Sequence, residues 1–346
     1  MKIAIDCRYY GKSGIGRVLE GILDNLDYDR NEFYFIGDEK LKNMYPKAKI
    51  IVNDTDPFSK AGLLKFPKEI NKECDICFIP NFIIPFGIKI PVYSIVHDLI
   101  FLDMKETTTK GFIDYKIKKT LFKRCFKKSK KIFCVSKFTI NRAIHYFPKY
   151  KDKLILSYNG LSKEIIKYAK ENEPKEKENN IIYIGNVKPH KGINILLDAF
   201  MMLPKGKYNL KIIGQKEKFL VGSNIDESKY ENVVFTGRLS DDELLDEISK
   251  AKYLVQPSLY EGFGIPPLEA LYLGTTPIIS KIEVFKEIYN DLSVIYFDDA
   301  KNLANIIKEE RKIELTPKDE VLNKYNFQKM ADIITLTLEN KKWFLK

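Results

Sequence analysis

The sequence predicts an α/β protein made of two doubly wound parallel-sheet domains. Short apolar runs alternate with helix-like segments from one end of the chain to the other, which is the pattern of strands joined by crossover helices. The alternation pauses over Ser162–Asn180, a stretch rich in Lys, Glu and Asn with Pro174 inside it, and restarts at Ile181. A chain of 346 residues has room for two domains of ordinary size. The expected organisation is a first domain over 1–162, a linker over 163–180 with a helix in its first half, a second domain over 181–325 and a closing helical segment over 326–346.

In chain order, the strand Lys2–Asp6 leads through the loop Cys7–Ser13 into a helix from about Gly14 to Leu26. Gly11-Lys-Ser-Gly-Ile-Gly16 joins the two as a phosphate-approaching loop would. It is not the dinucleotide fingerprint G-x-G-x-x-G, and a plain tight turn would use the same residues. Arg17 early in the helix is electrostatically misplaced unless an anion or acidic partner is near. Strands follow at Phe33–Gly37, Lys49–Val52, Asp75–Ile79 and Pro91–Val96. The last of these delivers His97-Asp98 to its C-terminal tip, the end at which open α/β sheets bind ligands.

A long helix is expected between Thr109 and Lys128, then a strand Lys131–Val135, a helix capped by Ser136 and ending near Tyr146, and a strand Leu154–Ser157. Within the long helix, Ile113, Ile117, Leu121, Phe122 and Cys125 recur at helical spacing and should pack on the first sheet. Between Lys116 and Lys131 nearly every other position is Lys or Arg. Those cations are either a solvated face or a surface that rests on an anionic membrane leaflet.

The second half opens with the strand Ile181–Ile184, the turn Gly185-Asn-Val-Lys-Pro-His-Lys-Gly192 and a helix to about Met202. Lys191 lies beside the positive end of that helix, a placement that calls for an anion between them. Leu210–Gly214 and Asn232–Phe235 are further strands, and Ser240 with Glu243 forms a capping box at the next helix. Then comes Ser258-Leu-Tyr-Glu-Gly-Phe-Gly-Ile-Pro-Pro-Leu-Glu-Ala-Leu-Tyr-Leu-Gly274, running from the strand around Tyr253–Val255 through a loop into a helix over about Ile265–Leu273. Gly262 and Gly264 allow a tight turn and close ligand approach, Pro266 and Pro267 suit a first helical turn, and Gly274 suits a stop. Glu261 on the loop and Glu269 early in the helix can reach one cavity. The pattern closes with Thr276–Ile279, a helix near Ile282–Tyr289, Val294–Phe297 and a helix from Phe327 to about Trp343.

Composition narrows the class further. Hydrophobic residues are 45% and charged residues 30%, an ordinary globular balance. No apolar run reaches the length of a spanning helix, since Phe82–Val96 is broken by Pro85, Lys89 and Pro91. Met1 runs straight into a strand without a signal-peptide pattern, so a cytoplasmic location is expected, with peripheral attachment to the inner membrane face as an option. The net charge of +11 suits an anionic nucleotide or membrane, and the absence of a nucleic-acid module counts against DNA or RNA. Five cysteines do not make a disulfide framework, and Cys74-Asp-Ile-Cys77 sits in an apolar strand as buried thiols rather than a redox pair.

Glu261 and Glu269, separated by Gly-Phe-Gly-Ile-Pro-Pro-Leu, closely resemble the E-x7-E signature of glycosyltransferase family 4. Ser13-Gly-Ile-Gly-Arg17, His97-Asp98, Cys134-Val-Ser-Lys-Phe-Thr139 and Lys191 also fit that family, and the resemblance spans nearly the whole chain. It implies a GT-B fold, two Rossmann-like domains with an interdomain cleft and a last helix that crosses back to the first domain. The activity it implies is transfer of a sugar from a nucleoside-diphosphate sugar to a glycan or polyprenyl-linked acceptor, with retained anomeric configuration, in surface polysaccharide synthesis. No metal and no cofactor beyond the donor would be required. The resemblance assigns catalysis to His97, Lys191 and Glu261. It assigns the donor to Gly14, Gly16, Asn186, Lys188, Lys191, Arg238, Leu239, Glu261, Gly262, Phe263, Gly264 and Glu269, and the acceptor to Arg17, His97 and Asp98. Asn186 stands where the family has an arginine on the diphosphate, and Lys188 is the substitute charge. Three rivals remain: a metal-dependent GT-A transferase using Asp54 and Asp56, a non-catalytic nucleotide-sugar-binding protein, and a dinucleotide oxidoreductase.

Overall fold

The computed structural model describes residues 1–104, 111–214 and 230–340. The chain divides into two compact units, Met1–Gly160 with Asn326–Lys346, and Leu161–Tyr325. The expected linker therefore belongs to the second unit: it holds the helix Lys163–Glu171 and the first residues of a strand starting at Glu178. Thr109 and Lys110 of the expected long helix, and the expected helical end near Trp343, lie outside the described residues.

The first unit carries seven strands, β1 (Lys2–Asp6), β2 (Glu32–Gly37), β3 (Lys49–Val52), β4 (Ile76–Ile79), β5 (Val92–Val96), β6 (Ser129–Cys134) and β7 (Leu154–Leu156). They form one sheet in the order β3-β2-β1-β4-β5-β6-β7, and every pairing is parallel. β1, β4 and β5 are buried nearly throughout, as expected of strands covered on both faces. The order reverses between β1 and β4, which makes the crevice beyond their C-terminal ends the place where a ligand can enter. Phe327 opens the helix Phe327–Leu338, and its ring fills the space that a side chain at Gly21 would need in the helix Ser13–Leu23.

The second unit repeats the plan with six strands, β8 (Glu178–Ile184), β9 (Asn209–Ile213), β10 (Val233–Gly237), β11 (Ala251–Gln256), β12 (Thr276–Ser280) and β13 (Ile295–Phe297). Their order is β10-β9-β8-β11-β12-β13, again all parallel, with the reversal between β8 and β11. Its core joins Ile181, Tyr183, Leu196, Leu210, Ile212, Val255 and Ile278 to the helix Ala300–Lys308. The expected capping box is formed: the Ser240 hydroxyl accepts the Glu243 amide, and the Glu243 carboxylate accepts the Ser240 amide.

One expectation about the basic helix is corrected. In the helix Gly111–Lys128, Phe122 and Cys125 are fully buried and Leu121 partly so, but Ile113 is 70% and Ile117 is 52% exposed. A 3.6-residue turn rotates each fourth residue by about 40°, so the stripe drifts off the buried face, which is carried instead by Phe122, Cys125 and Phe126. The helix ends at Lys128 as expected, and Lys130 and Lys131 lie in β6. All five cysteines are buried and unbonded, Cys74 and Cys77 among them, and burial pushes the Cys74 thiol up to about 11.

Candidate active site

The switch point of the second unit is built from the loops that follow β8 and β11. After β8 the chain turns through Gly185, makes a short 3-10 turn over Pro189–Lys191 and enters the helix Ile193–Met201 at Gly192. Gly192 is left-handed, with φ +63°, and a Cβ there would lie 2.0 Å from the Pro257 carbonyl oxygen. Only glycine lets the two loops touch at this point. The His190 carbonyl completes the joint by accepting the Leu259 amide at 2.8 Å.

Across that joint the Lys191 ammonium donates to Glu261 Oε1 at 2.6 Å. The same oxygen accepts the Ser258 hydroxyl at 2.7 Å and the Gln256 amide at 3.3 Å. Ser258 and Gln256 are buried, so the Glu261 carboxylate is fixed by donors from its own strand end while Lys191 approaches from the other loop. Sequence reasoning found Lys191 and Glu261 and missed Ser258 and Gln256 as their setting, although both precede the glutamate by five residues or fewer.

Glu269 lies in the helix Ile265–Tyr272 and is 1% exposed. Gly264 caps this helix with φ +89°, and a Cβ there would meet the Phe285 ring at 2.4 Å. Pro266 and Pro267 carry no N–H, so this helix end offers fewer amides to an anion than its position suggests. The helix Ile193–Met201 has no such gap, and no acidic residue in its first turn offsets its positive end. Phe263 is 3% exposed and sits edge-on to Tyr325, so its ring belongs to the packing of the unit.

Asn186 and Lys188 occupy the loop after β8 beside Lys191, and the Asn186 carbonyl accepts the Tyr183 hydroxyl. Arg238 and Leu239 follow β10, two strands away from β8 at the same end of the sheet. His190, which the sequence did not single out, is partly buried with no hydrogen-bond partner for Nδ1. Burial first, then the Lys191 charge, lowers its pKa to about 4.

The first unit brings together a different set at its own switch point. His97 follows β5, and its Nε2 lies 2.9 Å from the Pro80 carbonyl oxygen beyond β4. A carbonyl only accepts, so Nε2 carries the proton and Nδ1 the lone pair. Burial lowers the His97 pKa to about 4, so the ring is neutral at pH 7. Asp98 folds back to accept the Ile100 amide at 3.0 Å. Gly16 is buried, and a Cβ there would meet the Tyr9 carbonyl oxygen at 2.5 Å, whereas one at Gly14 would meet nothing within 4 Å. The helix begins at Ser13, which puts Arg17 just past its first turn.

The sequence missed a fully buried charge pair of this unit. Arg8 clamps Asp6 with Nε and Nη2, each at 2.8 Å, and donates from Nη1 to the Gly62 carbonyl at 2.9 Å. Asp54 and Asp56 lie exposed after the edge strand β3, and Asp56 accepts the Phe58 amide within a turn.

Residues 164–329 match the family model described as glycosyl transferases group 1. The O-antigen chain mannosyltransferase RfbU of Salmonella typhimurium is 29% identical over 229 residues, which cover 64% of this chain and 63% of that protein. The O-antigen chain mannosyltransferase B of Escherichia coli is 26% identical, over 62% of this chain and 59% of that one. The chain thus spans less than two thirds of the length of these curated relatives. Among solved structures, Anabaena Alr3699/HepE in complex with UDP and glucose superposes with a TM-score of 0.70 at 16% identity, over 98% of this chain and 100% of that one. WaaG, a glycosyltransferase involved in lipopolysaccharide biosynthesis, gives 0.66 at 17% identity, over 97% and 95%. Two Rossmann-like parallel-sheet units and these likenesses define a GT-B fold, which argues against the GT-A alternative built on Asp54 and Asp56.

Proposed function

We propose that this protein is a retaining glycosyltransferase that moves a sugar from a nucleoside-diphosphate sugar to a glycan or polyprenyl-linked acceptor in surface polysaccharide synthesis. The observation that carries this reading is the Lys191–Glu261 pair at the β8/β11 switch point, with Glu269 buried in the following helix. Lys191, Lys188 and the start of the helix Ile193–Met201 form a positive locus suited to a diphosphate. They would offset the charge that builds on the leaving group, a preorganised electrostatic stabilisation. Glu261 orients the sugar hydroxyls and Glu269 the ribose, while Arg238 and Leu239 lie toward the base. In the first unit, the neutral His97 presents a lone pair at Nδ1 to a sugar hydroxyl, and Gly14, Arg17 and Asp98 flank that place. No metal is assigned a role, and transfer is expected to persist in the presence of a chelator; loss restored by manganese would return Asp54 and Asp56 to consideration.

The test is a thermal-shift screen of nucleoside-diphosphate sugars followed by a turnover assay. Mannose donors come first, because two curated relatives are mannosyltransferases. A donor that binds the folded state raises the melting temperature by mass action. Stabilisation with neither transfer nor donor hydrolysis would mark a binding protein, and no response to any donor would overturn the reading.

A further inference from the structure

The helix Gly111–Lys128 exposes a face that the first unit does not use. At 100° per residue, Phe112, Ile113, Lys116, Ile117, Thr120, Lys123, Arg124 and Lys127 fall within an arc about 140° wide. Phe112 is 68% exposed, Ile113 70% and Ile117 52%, and Lys116, Lys123 and Lys127 are exposed beside them. Asp114 is the only acidic residue of the helix, and it falls outside this arc and is partly buried. The opposite side, with Phe122, Cys125 and Phe126, is fully buried against the sheet.

Arg124 adds an aromatic side chain to this face. Its guanidinium donates to the Ile84 and Pro85 carbonyls at 3.0 and 2.9 Å and lies 4.0 Å over the Phe86 ring. That clamp holds Phe86, itself 46% exposed, against the helix. Lys116 lies 4.4 Å over the Phe112 ring, so cation and aromatic occupy one patch. Exposed aromatic and branched apolar side chains alternating with lysines, on a helix anchored by its other face, are the composition of an interfacial helix. A nucleic-acid backbone would engage the lysines and leave Ile113 and Ile117 in water, whereas a lipid headgroup layer satisfies both kinds of side chain.

We propose that this face docks on the anionic surface of a phospholipid bilayer, with Phe112, Ile113 and Ile117 entering the interface and Lys116, Lys123 and Lys127 meeting lipid phosphates. Docking would serve a lipid-borne acceptor, but it does not depend on the transfer reading.

Co-sedimentation of the full chain with phosphatidylcholine vesicles, with and without phosphatidylglycerol, tests it. The parent should partition at least about tenfold better onto the anionic vesicles, weakening as salt rises. The triple variant Lys116→Glu, Lys123→Glu, Lys127→Glu should lose binding. The triple variant Phe112→Ser, Ile113→Ser, Ile117→Ser should lose about tenfold and all of the salt-resistant fraction. Phe112→Trp should show blue-shifted emission on anionic vesicles only. All these positions are exposed, so melting temperatures should match the parent. A parent that stays unbound at low salt overturns the proposal, as do serine variants that bind like the parent. Preferential capture by an oligonucleotide, or a dimer that the serine variants dissolve, overturns it in favour of those partners. The assay contains no sugar donor, so its failure leaves the transfer reading standing, and a failed transfer assay leaves docking standing.

Discussion

At the switch point of the first unit, the charges beside the crevice are already satisfied by each other: Arg8 clamps Asp6, and both are buried. Beside that pair stand the neutral His97 ring and the buried Tyr9 and Asn81, with Asp98 adjoining His97 in the chain. At the corresponding place in the second unit, Lys191 and Glu261 keep 23% and 11% of their side chains exposed. Two sheets with the same plan thus carry an ion pair each at equivalent positions, one fully buried and one partly open. The first uses charge to hold its loops, and the second leaves charge within reach of a ligand. A neutral, hydrogen-bonding crevice suits a sugar hydroxyl, and a charged one suits a diphosphate.

The largest expected effect tests the structural half of that contrast. Arg8→Met strands the buried Asp6 carboxylate and should lower stability by about 3–5 kcal/mol in chemical denaturation, with Asp6→Asn in the same chain recovering much of it. A silent Arg8→Met would break the comparison. Next, Lys191→Ala should reduce turnover by about two orders of magnitude or more, while circular dichroism and melting stay near the parent, because Ser258 and Gln256 still hold Glu261. If Lys191→Ala instead unfolds the protein at full specific activity, the second unit's charge is structural too.

The third prediction treats the two units alike. His97 and His190, one in each unit, both titrate at about 4 in the fold. An unfolded histidine titrates near 6.5, so below that pH the unfolded chain takes up protons that the fold refuses. Stability should therefore fall as pH drops from about 6.5 to about 4, by roughly 1–3 kcal/mol per histidine. Replacing either one with Gln should flatten the profile by its share in a pH-dependent melting series. The smallest effect concerns Gly14, where an added Cβ meets nothing within 4 Å. Gly14→Ala should change stability by no more than about 0.5 kcal/mol. A clear loss of transfer in that stable variant would sharpen the comparison by showing that a ligand comes close to the first unit's loop.

The parallel strands were the most legible part of the sequence. Strands buried on both faces must be short, continuous apolar runs, and all thirteen strands, edge strands included, lie within two or three residues of their expected ends. The short helices Leu41–Met44, Lys60–Leu64 and Ile70–Glu73 were not legible, because one turn of helix has no period to detect. The helices Ala300–Lys308 and Lys318–Lys324 were overlooked although the first has a clear apolar face. At the candidate site, Lys191 was legible from its place beside a helix start, and Glu261 from the resemblance to the E-x7-E signature. The Arg8–Asp6 clamp could not, because nothing local distinguishes a buried arginine from a solvated one. The apolar stripe of the basic helix was misjudged for a related reason: spacing shows which residues share a face, and only the packed sheet shows which face is covered.

The position of Phe327 against Gly21 has a consequence for how the chain matures. The helix that supplies Phe327 is separated from its groove by the whole of Leu161–Tyr325. A ribosome releases residues in order and domains tend to fold as they emerge, so the first sheet can form early while its last helix has not yet been made. The groove along Gly21 then stays open until the second unit has been synthesised. Completion of the first unit is in this way a report that the second has been translated, and a nascent chain stopped before Phe327 would present an unfilled apolar slot to chaperones and proteases.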